Sequence, residues 1–196
     1  MARFLDEFGP VEGTSILDVG GAAFNWELAG IEAPITLLNL RAPDDPTTLP
    51  PHFSSVAGSG TALPYADASF GIVFSNSVIE HVGDPQAQAR FAAELRRVGE
   101  ALWVQTPARS FPLEPHLLGI GIHYLPRTWQ RRLVRYFTGW GWLVRPTPAQ
   151  IDAFLAEIRL LSFAEFRQLF PDCEIRRERF LGLTKAFVAV RPRGGA

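Results

Sequence analysis

The stretch Ser15-Ile-Leu-Asp-Val-Gly-Gly-Ala-Ala-Phe24 decides the fold. A short apolar run carrying one acid breaks abruptly into small residues. A buried parallel strand ends this way where a ligand approaches, because only small side chains let the backbone come close. Working outward, residues 35–40, 54–57 (the weakest), 70–75 and 101–106 also read as strands. Their aliphatic and β-branched runs lack clean alternation, as strands buried on both faces should.

Helices fall between them. Asp84 can cap a helix with Pro85 in its first turn, and Ala87, Phe91, Leu95 and Val98 then repeat along one face. Thr147-Pro-Ala-Gln150 and Ser162-Phe-Ala-Glu165 are capping boxes. The first opens a helix burying Ile151, Phe154, Leu155 and Ile158, and Leu161 and Phe166 staple the second. Two alternating runs, 173–180 and 184–191, are joined by Leu181-Gly-Leu183, so they form a hairpin and one closing strand runs antiparallel. The pattern predicts one three-layer α/β domain over residues 1–196, ending in a frayed tail at 191–196.

Composition narrows the function. A hydrophobic share of 47% with mean hydropathy +0.06 fits a globular protein. A net charge of −1 gives no overall field for nucleic acid. The lone Cys173 excludes an internal disulfide and fits a reducing cytoplasm. Asp6 and Glu7 stand where a signal peptide needs an apolar run, and no stretch is long enough to span a bilayer. The expected location is cytoplasmic. His52, His81, His116 and His123 form no close His-x-x-x-His pair, so no metal site is expected. Gly20-Gly-Ala-Ala-Phe24 is not the Gly-x-Gly-x-x-Gly of a nicotinamide-binding turn.

Four segments in order carry a family likeness. They are the opening stretch, Ile35-Thr-Leu-Leu-Asn-Leu40, Gly60-Thr-Ala-Leu-Pro-Tyr65 and Ser69-Phe-Gly-Ile-Val-Phe-Ser-Asn-Ser-Val-Ile-Glu-His81. Over about residues 15–192 the chain resembles the class I S-adenosylmethionine (SAM) dependent methyltransferases, type 11 branch. The resemblance implies a Rossmann-like, mostly parallel sheet in the order 3-2-1-4-5-7-6 with an antiparallel closing strand. It also implies SAM as cofactor, bound at the carboxyl ends of the strands where the order reverses.

Residue by residue, Asp18, Gly20, Gly21 and Ala22 would form the turn around the methionine half, with Phe24 where a glycine is usual. Asn39, about 20 residues beyond Asp18, stands where an acid usually accepts the ribose hydroxyls, and Leu40 would pack on the adenine. Ser59 replaces an Asp that reaches the adenine amino group, while Gly60, Thr61 and Ala62 would offer backbone groups. Ser75, Asn76 and Ser77 would lie beside the transferable methyl, and Gly71 replaces another usual Asp. Glu80 and His81 read first as packing and capping residues, with His81 a candidate base.

The substrate side is expected in residues 107–145. Phe111-Pro-Leu-Glu-Pro-His116 has the form found in type 11 relatives, which makes Glu114 and His116 the first candidates for contacting the acceptor. No acid occurs from Pro115 to Ile151, whereas Arg127, Arg131, Arg132, Arg135 and Arg145 all do. Trp129, Leu133 and Phe137 repeat at helical spacing before the aromatic Thr138-Gly-Trp-Gly-Trp142. Three readings stand open: a lid over the acceptor, a peripheral membrane contact through 125–143, or ordinary packing on the sheet. A second subunit, in a homodimer, is another candidate cover. The expected activity is methyl transfer to a small hydrophobic or lipid-like acceptor, with no nucleic acid involved. The alternative is a methyltransferase-like binding or regulatory partner, its cofactor site weakened at Phe24, Asn39, Ser59 and Gly71.

Overall fold

A computed structural model of the chain describes residues 1–41 and 49–194. The strands are β1 (Ile16–Val19), β2 (Ile35–Asn39), β3 (Phe53–Ala57), β4 (Phe70–Asn76), β5 (Gly99–Pro107), the two-residue β6 (Leu113–Glu114) and β7 (Gly119–Ile120), β8 (Glu174–Phe180) and β9 (Leu183–Arg191). The helices are α1 (Ala2–Phe8), α2 (Ala23–Leu28), α3 (Pro85–Val98), α4 (Arg127–Phe137), α5 (Gly139–Val144), α6 (Pro148–Glu157) and α7 (Phe163–Leu169).

The main sheet runs β3-β2-β1-β4-β5-β9-β8. That is the order expected from the sequence once the small β6–β7 pair is set aside. β1 to β5 pair in parallel, and β9 lies antiparallel to both β5 and β8. The strand sequence explains the layers. Alternate residues of β1 face opposite sides, so Leu17 and Val19 pack with Phe91 and Leu95 of α3 and Phe166 of α7. Ile16 packs on the other face with Phe4 and Phe8 of α1 and Trp26 of α2. Phe4 meets Trp26 edge to face, with ring centroids 5.6 Å apart.

Capping follows the sequence reading. Asp84 Oδ1 accepts from the Ala87 amide at 2.7 Å, and both capping boxes close, at Thr147 with Gln150 and at Ser162 with Glu165. The predicted tail is shorter at its start. Arg191 ends β9, where its guanidinium pairs with Asp172 at 2.6 Å (residues 195 and 196 lie outside the described set). Neither α1 nor α2 is marked by a clear sequence period, because each is too short to show one. Beyond β5, α4 and α6 pack around Leu117, Ile122, Val134, Ile151 and Leu155, a third apolar cluster that borders one of the two cavities described next.

Candidate active site

The first cavity, about 480 Å³, opens at the carboxyl ends of β1 and β2. That is where the strand order reverses, the place an open α/β sheet binds ligands, and the volume is that of a small-molecule site. Gly20, Asn39, Leu40, Ser59, Gly60, Thr61 and His81 line it, so seven of the residues singled out from sequence meet there. Val78, Val82, Ala87, Arg90 and Phe91 complete the wall. Gly20 has φ +83°, and a Cβ there would lie 2.5 Å from Val78. A Cβ on Gly60 would reach 2.4 Å from the Phe91 ring. Small residues therefore keep this cradle open.

The remaining expected cofactor residues lie outside the wall and build it. Asp18 is buried, accepts from Trp26 Nε1 at 2.7 Å through Oδ2, and leaves Oδ1 with no partner among the described residues. Burial pushes its pKa up to about 7, against a smaller lowering by the Trp26 bond. Gly21 lies directly on that carboxylate. Ser75 is buried and donates to the Val19 carbonyl at 3.0 Å, tying β4 to β1. Ala22 is the residue before α2, Asn76 ends β4 exposed, Ser77 sits at φ +58°, and the Ala62 amide donates to the Ser59 carbonyl.

The substituted positions have defined roles. Phe24 is 68% exposed on α2 and lies outside the cavity wall. Asn39 Nδ2 donates to the Gly21 carbonyl at 3.0 Å, which directs its amide oxygen elsewhere as an acceptor. Ser59 and Thr61 hydroxyls bond each other at 2.8 Å. Leu40 is exposed at the rim. The Leu63–Pro64 segment is held by α3: Leu63 N donates to Glu94 at 2.7 Å, and Arg97 donates to the Leu63 and Tyr65 carbonyls. The Arg97 bond keeps the Glu94 carboxyl below its ordinary range.

A second cavity of about 460 Å³ is lined by Arg109, Glu114, Leu117, Tyr124, Arg127 and Leu155, among others. Between the two cavities a chain of polar side chains runs from one to the other. His81 Nε2 and His116 Nε2 are 3.1 Å apart, and His116 Nδ1 lies 2.6 Å from Glu114. Glu114, nearly fully buried, also accepts from the Leu117 amide. Glu80 is fully buried, accepts from Thr106 at 2.9 Å through Oε2, and leaves Oε1 unpartnered among the described residues. The Glu114 bond raises the His116 pKa; burial and the neighbouring His116 charge lower that of His81, and burial raises that of Glu80. Two histidines 35 residues apart thus meet, although sequence spacing gives no ligand pair.

Known proteins resemble this chain in sequence over part of its length. Residues 17–101 match the model of a methyltransferase domain, type 11. That match covers less than half of the chain, and over it the chain is similar to a methyltransferase domain. The chain is 30% identical over 122 residues to an uncharacterised methyltransferase of Mycobacterium tuberculosis, covering 59% of this chain and 48% of that one. It spans about half the length of the curated relatives it matches. A SAM-dependent methyltransferase from Methanosarcina mazei superposes with a TM-score of 0.56 at 15% identity, covering 97% and 96% of the two chains. Geranyl diphosphate C-methyltransferase from Streptomyces coelicolor, solved with Mg²⁺, geranyl diphosphate and S-adenosylhomocysteine, gives 0.58 at 14%, covering 98% and 79%.

SAM is the cofactor a methyltransferase domain implies, and the first cavity, at about 480 Å³, has the volume of a small-molecule site. Glycine positions that a Cβ would fill flank the turn, and Asn39, its Nδ2 held by the Gly21 carbonyl, lines the cavity beside them. Sequence reading missed Val78, Val82 and Arg90, because nothing in their spacing marks residues brought in from α3 and the turn before it. The Glu94/Arg97 clamp did carry a signal, an acid and a base three apart on one helix face.

Proposed function

We propose that this methyltransferase binds SAM in the first cavity and transfers its methyl group to a small acceptor in the second. The observation that carries the reading is the His81–His116–Glu114 chain, whose first member lines the cofactor cavity and whose last lines the other. SAM, when bound, supplies an electrophilic methyl on a sulfonium. The residues then have two tasks, holding the nucleophile in line and excluding water. Gly20, Asn39 and the Ser59–Thr61 turn position the cofactor. His81 cannot serve as an isolated base, since its Nε2 is turned to His116; the pair acts as one unit at the boundary.

The acceptor we infer has an apolar body and an anionic end. Tyr124, Leu125, Phe154, Leu155 and Ile158 offer apolar wall, while Arg109 and Arg127 bring positive charge. The geranyl diphosphate named for the Streptomyces coelicolor neighbour has the same two-part chemistry. Residues 107–145, joined by α6 and Ile158, form the substrate side in this reading. An outer face of α4 and α5 supports a second element, contact with an anionic membrane that delivers the acceptor. Trp129, Tyr136, Phe137, Trp142 and Leu143 are exposed there beside Arg127 and Arg132. No helix among the described residues is long and apolar enough to cross a membrane.

Isothermal titration with SAM and S-adenosylhomocysteine tests the core of this. Micromolar binding, weakened about 5- to 30-fold in Asn39→Ala by loss of the Gly21 bond and the ribose acceptor, is the expected result. No binding at millimolar ligand would refute it and favour a binding or regulatory role for the fold.

A further inference from the structure

We propose that Glu80, His81 and His116 bind a divalent transition-metal ion, zinc(II) first among candidates, at the boundary between the two cavities. One ligand atom from each of the three lies within 4.8 Å of the others. The two imidazoles meet through Nε2, and each Nδ1 has a carboxylate beside it. Glu114 Oε1 sits 2.6 Å from His116 Nδ1, and Glu157 Oε1 sits 3.6 Å from His81 Nδ1. A carboxylate bonded to Nδ1, as Glu114 is to that of His116, holds the proton there and leaves the lone pair on Nε2. His81 Nε2 faces that lone pair across 3.1 Å. A proton on His81 Nε2 bridges the two nitrogens when no metal is bound, and a metal ion in its place would draw on both lone pairs.

The donor geometry suits zinc. Two imidazole nitrogens on a tetrahedral ion at the usual Zn–N length are about 3.3–3.4 Å apart, close to what is seen. The third donor is the oxygen that nothing else in the described structure satisfies. Glu80 is fully buried, its Oε1 has no hydrogen-bond partner, and it lies 3.8 Å from His116 Nε2. Thr106 donates to Oε2 at 2.9 Å and so fixes the carboxylate with its other oxygen turned to the histidines. Buried carboxylates are expensive unless paired or metal-bound. Nitrogen-rich donors with one carboxylate favour zinc or its first-row neighbours over magnesium. Three protein ligands leave a fourth position for water or for a heteroatom of the acceptor.

The site stands whether or not the chain transfers a methyl group, so its test uses no SAM. Tag-free protein stripped with a chelator is titrated with zinc chloride in a calorimeter. The expected result is one ion per chain at micromolar strength or tighter. His81→Gln and His116→Gln should each weaken it at least ~100-fold, and Glu114→Gln, which touches no ion, by roughly 10-fold through loss of the carboxylate behind His116. Cys173→Ser and His52→Gln should leave it unchanged, and thermal melts confirm that each variant folds. Cobalt(II) on the unaltered chain gives a readout free of folding effects: visible absorption of a four-coordinate, nitrogen-containing site is expected. No zinc uptake below about 1 mM, uptake undiminished in both histidine variants, or a cobalt spectrum of purely octahedral type would each overturn the proposal, and a shared proton would then be the cation between the rings. Zinc uptake without SAM binding would remove the proposed function and leave this site intact; the reverse result would do the opposite.

Discussion

Replacing Asp18 by Asn should make the chain less sensitive to pH, and the size of the effect follows from its burial. The carboxyl is 1% exposed, with one hydrogen bond from Trp26 and one unpartnered oxygen, and its pKa stands near 7 in the fold against 3.8 as the reference. A raised carboxyl pKa means that the folded chain holds this proton over a range where the unfolded chain has lost it. The unfolded state binds fewer protons between pH 4 and 7, so stability falls as pH rises through that window and levels off above it. At about 1.36 kcal/mol per pH unit the whole difference is about 4 kcal/mol. Asn keeps an oxygen for the Trp26 donor but carries no charge. Its extra N–H pair meets no acceptor and costs about 1–3 kcal/mol at any pH. Urea unfolding of both proteins from pH 4 to pH 8 measures the outcome. The stability of Asp18→Asn relative to the original chain should rise by about 4 kcal/mol across the range. A gap that stays constant within about 1 kcal/mol would refute the burial argument.

Two further results are expected. Gly21→Ala places a Cβ 1.7 Å from the Asp18 carboxylate, so the turn must shift. Urea unfolding should show a loss of about 1–3 kcal/mol, with SAM binding weakened in parallel; an unchanged protein would mean that the turn is not packed on Asp18. Trp142 and Phe137 are 73% and 70% exposed, and co-sedimentation with phosphatidylglycerol vesicles should fall in Phe137→Ala/Trp142→Ala and in high salt. Equal sedimentation with uncharged phosphatidylcholine vesicles would count against an electrostatic membrane contact.

The fold was largely legible because its signals are local. The doubly buried strand runs, the Asp84 cap, the two capping boxes and the Leu181-Gly-Leu183 link each depend on residues a few positions apart. The cofactor cradle was partly legible for the same reason, since Gly20, Asn39 and Ser59 sit at strand ends. The boundary cluster was not. His81 and His116 could each be named from the chain, but their contact depends on how the loop after β5 folds back over the turn at 79–81. No spacing rule carries that distance. The unpartnered Glu80 oxygen is likewise invisible in sequence, where an acid beside a helix start reads as a cap.

The substituted cofactor positions look like losses in sequence and have structural uses in the fold. Asn39 is the clearest. A carboxylate there could accept from a ribose but could not donate, and the Gly21 carbonyl 3.0 Å away would face an anion. In the proposed reading the amide would accept from ribose while it pins the glycine turn. Ser59 and Thr61 close a compact turn through their hydroxyls where an Asp would reach outward. Phe24, the bulkiest departure, is carried outward by α2 because Trp26, two residues on, is drawn inward to Asp18. The Asn39 and Ser59 exchanges would each give up a charged contact with the cofactor, worth roughly twice a neutral hydrogen bond, and gain order in the turn. Order present before binding reduces what binding must fix, so the two effects oppose each other in the measured affinity. In the proposed reading that balance would let a pocket without those acids bind SAM at micromolar strength, with the sensitivity of binding placed in the Asn39–Gly21 bond.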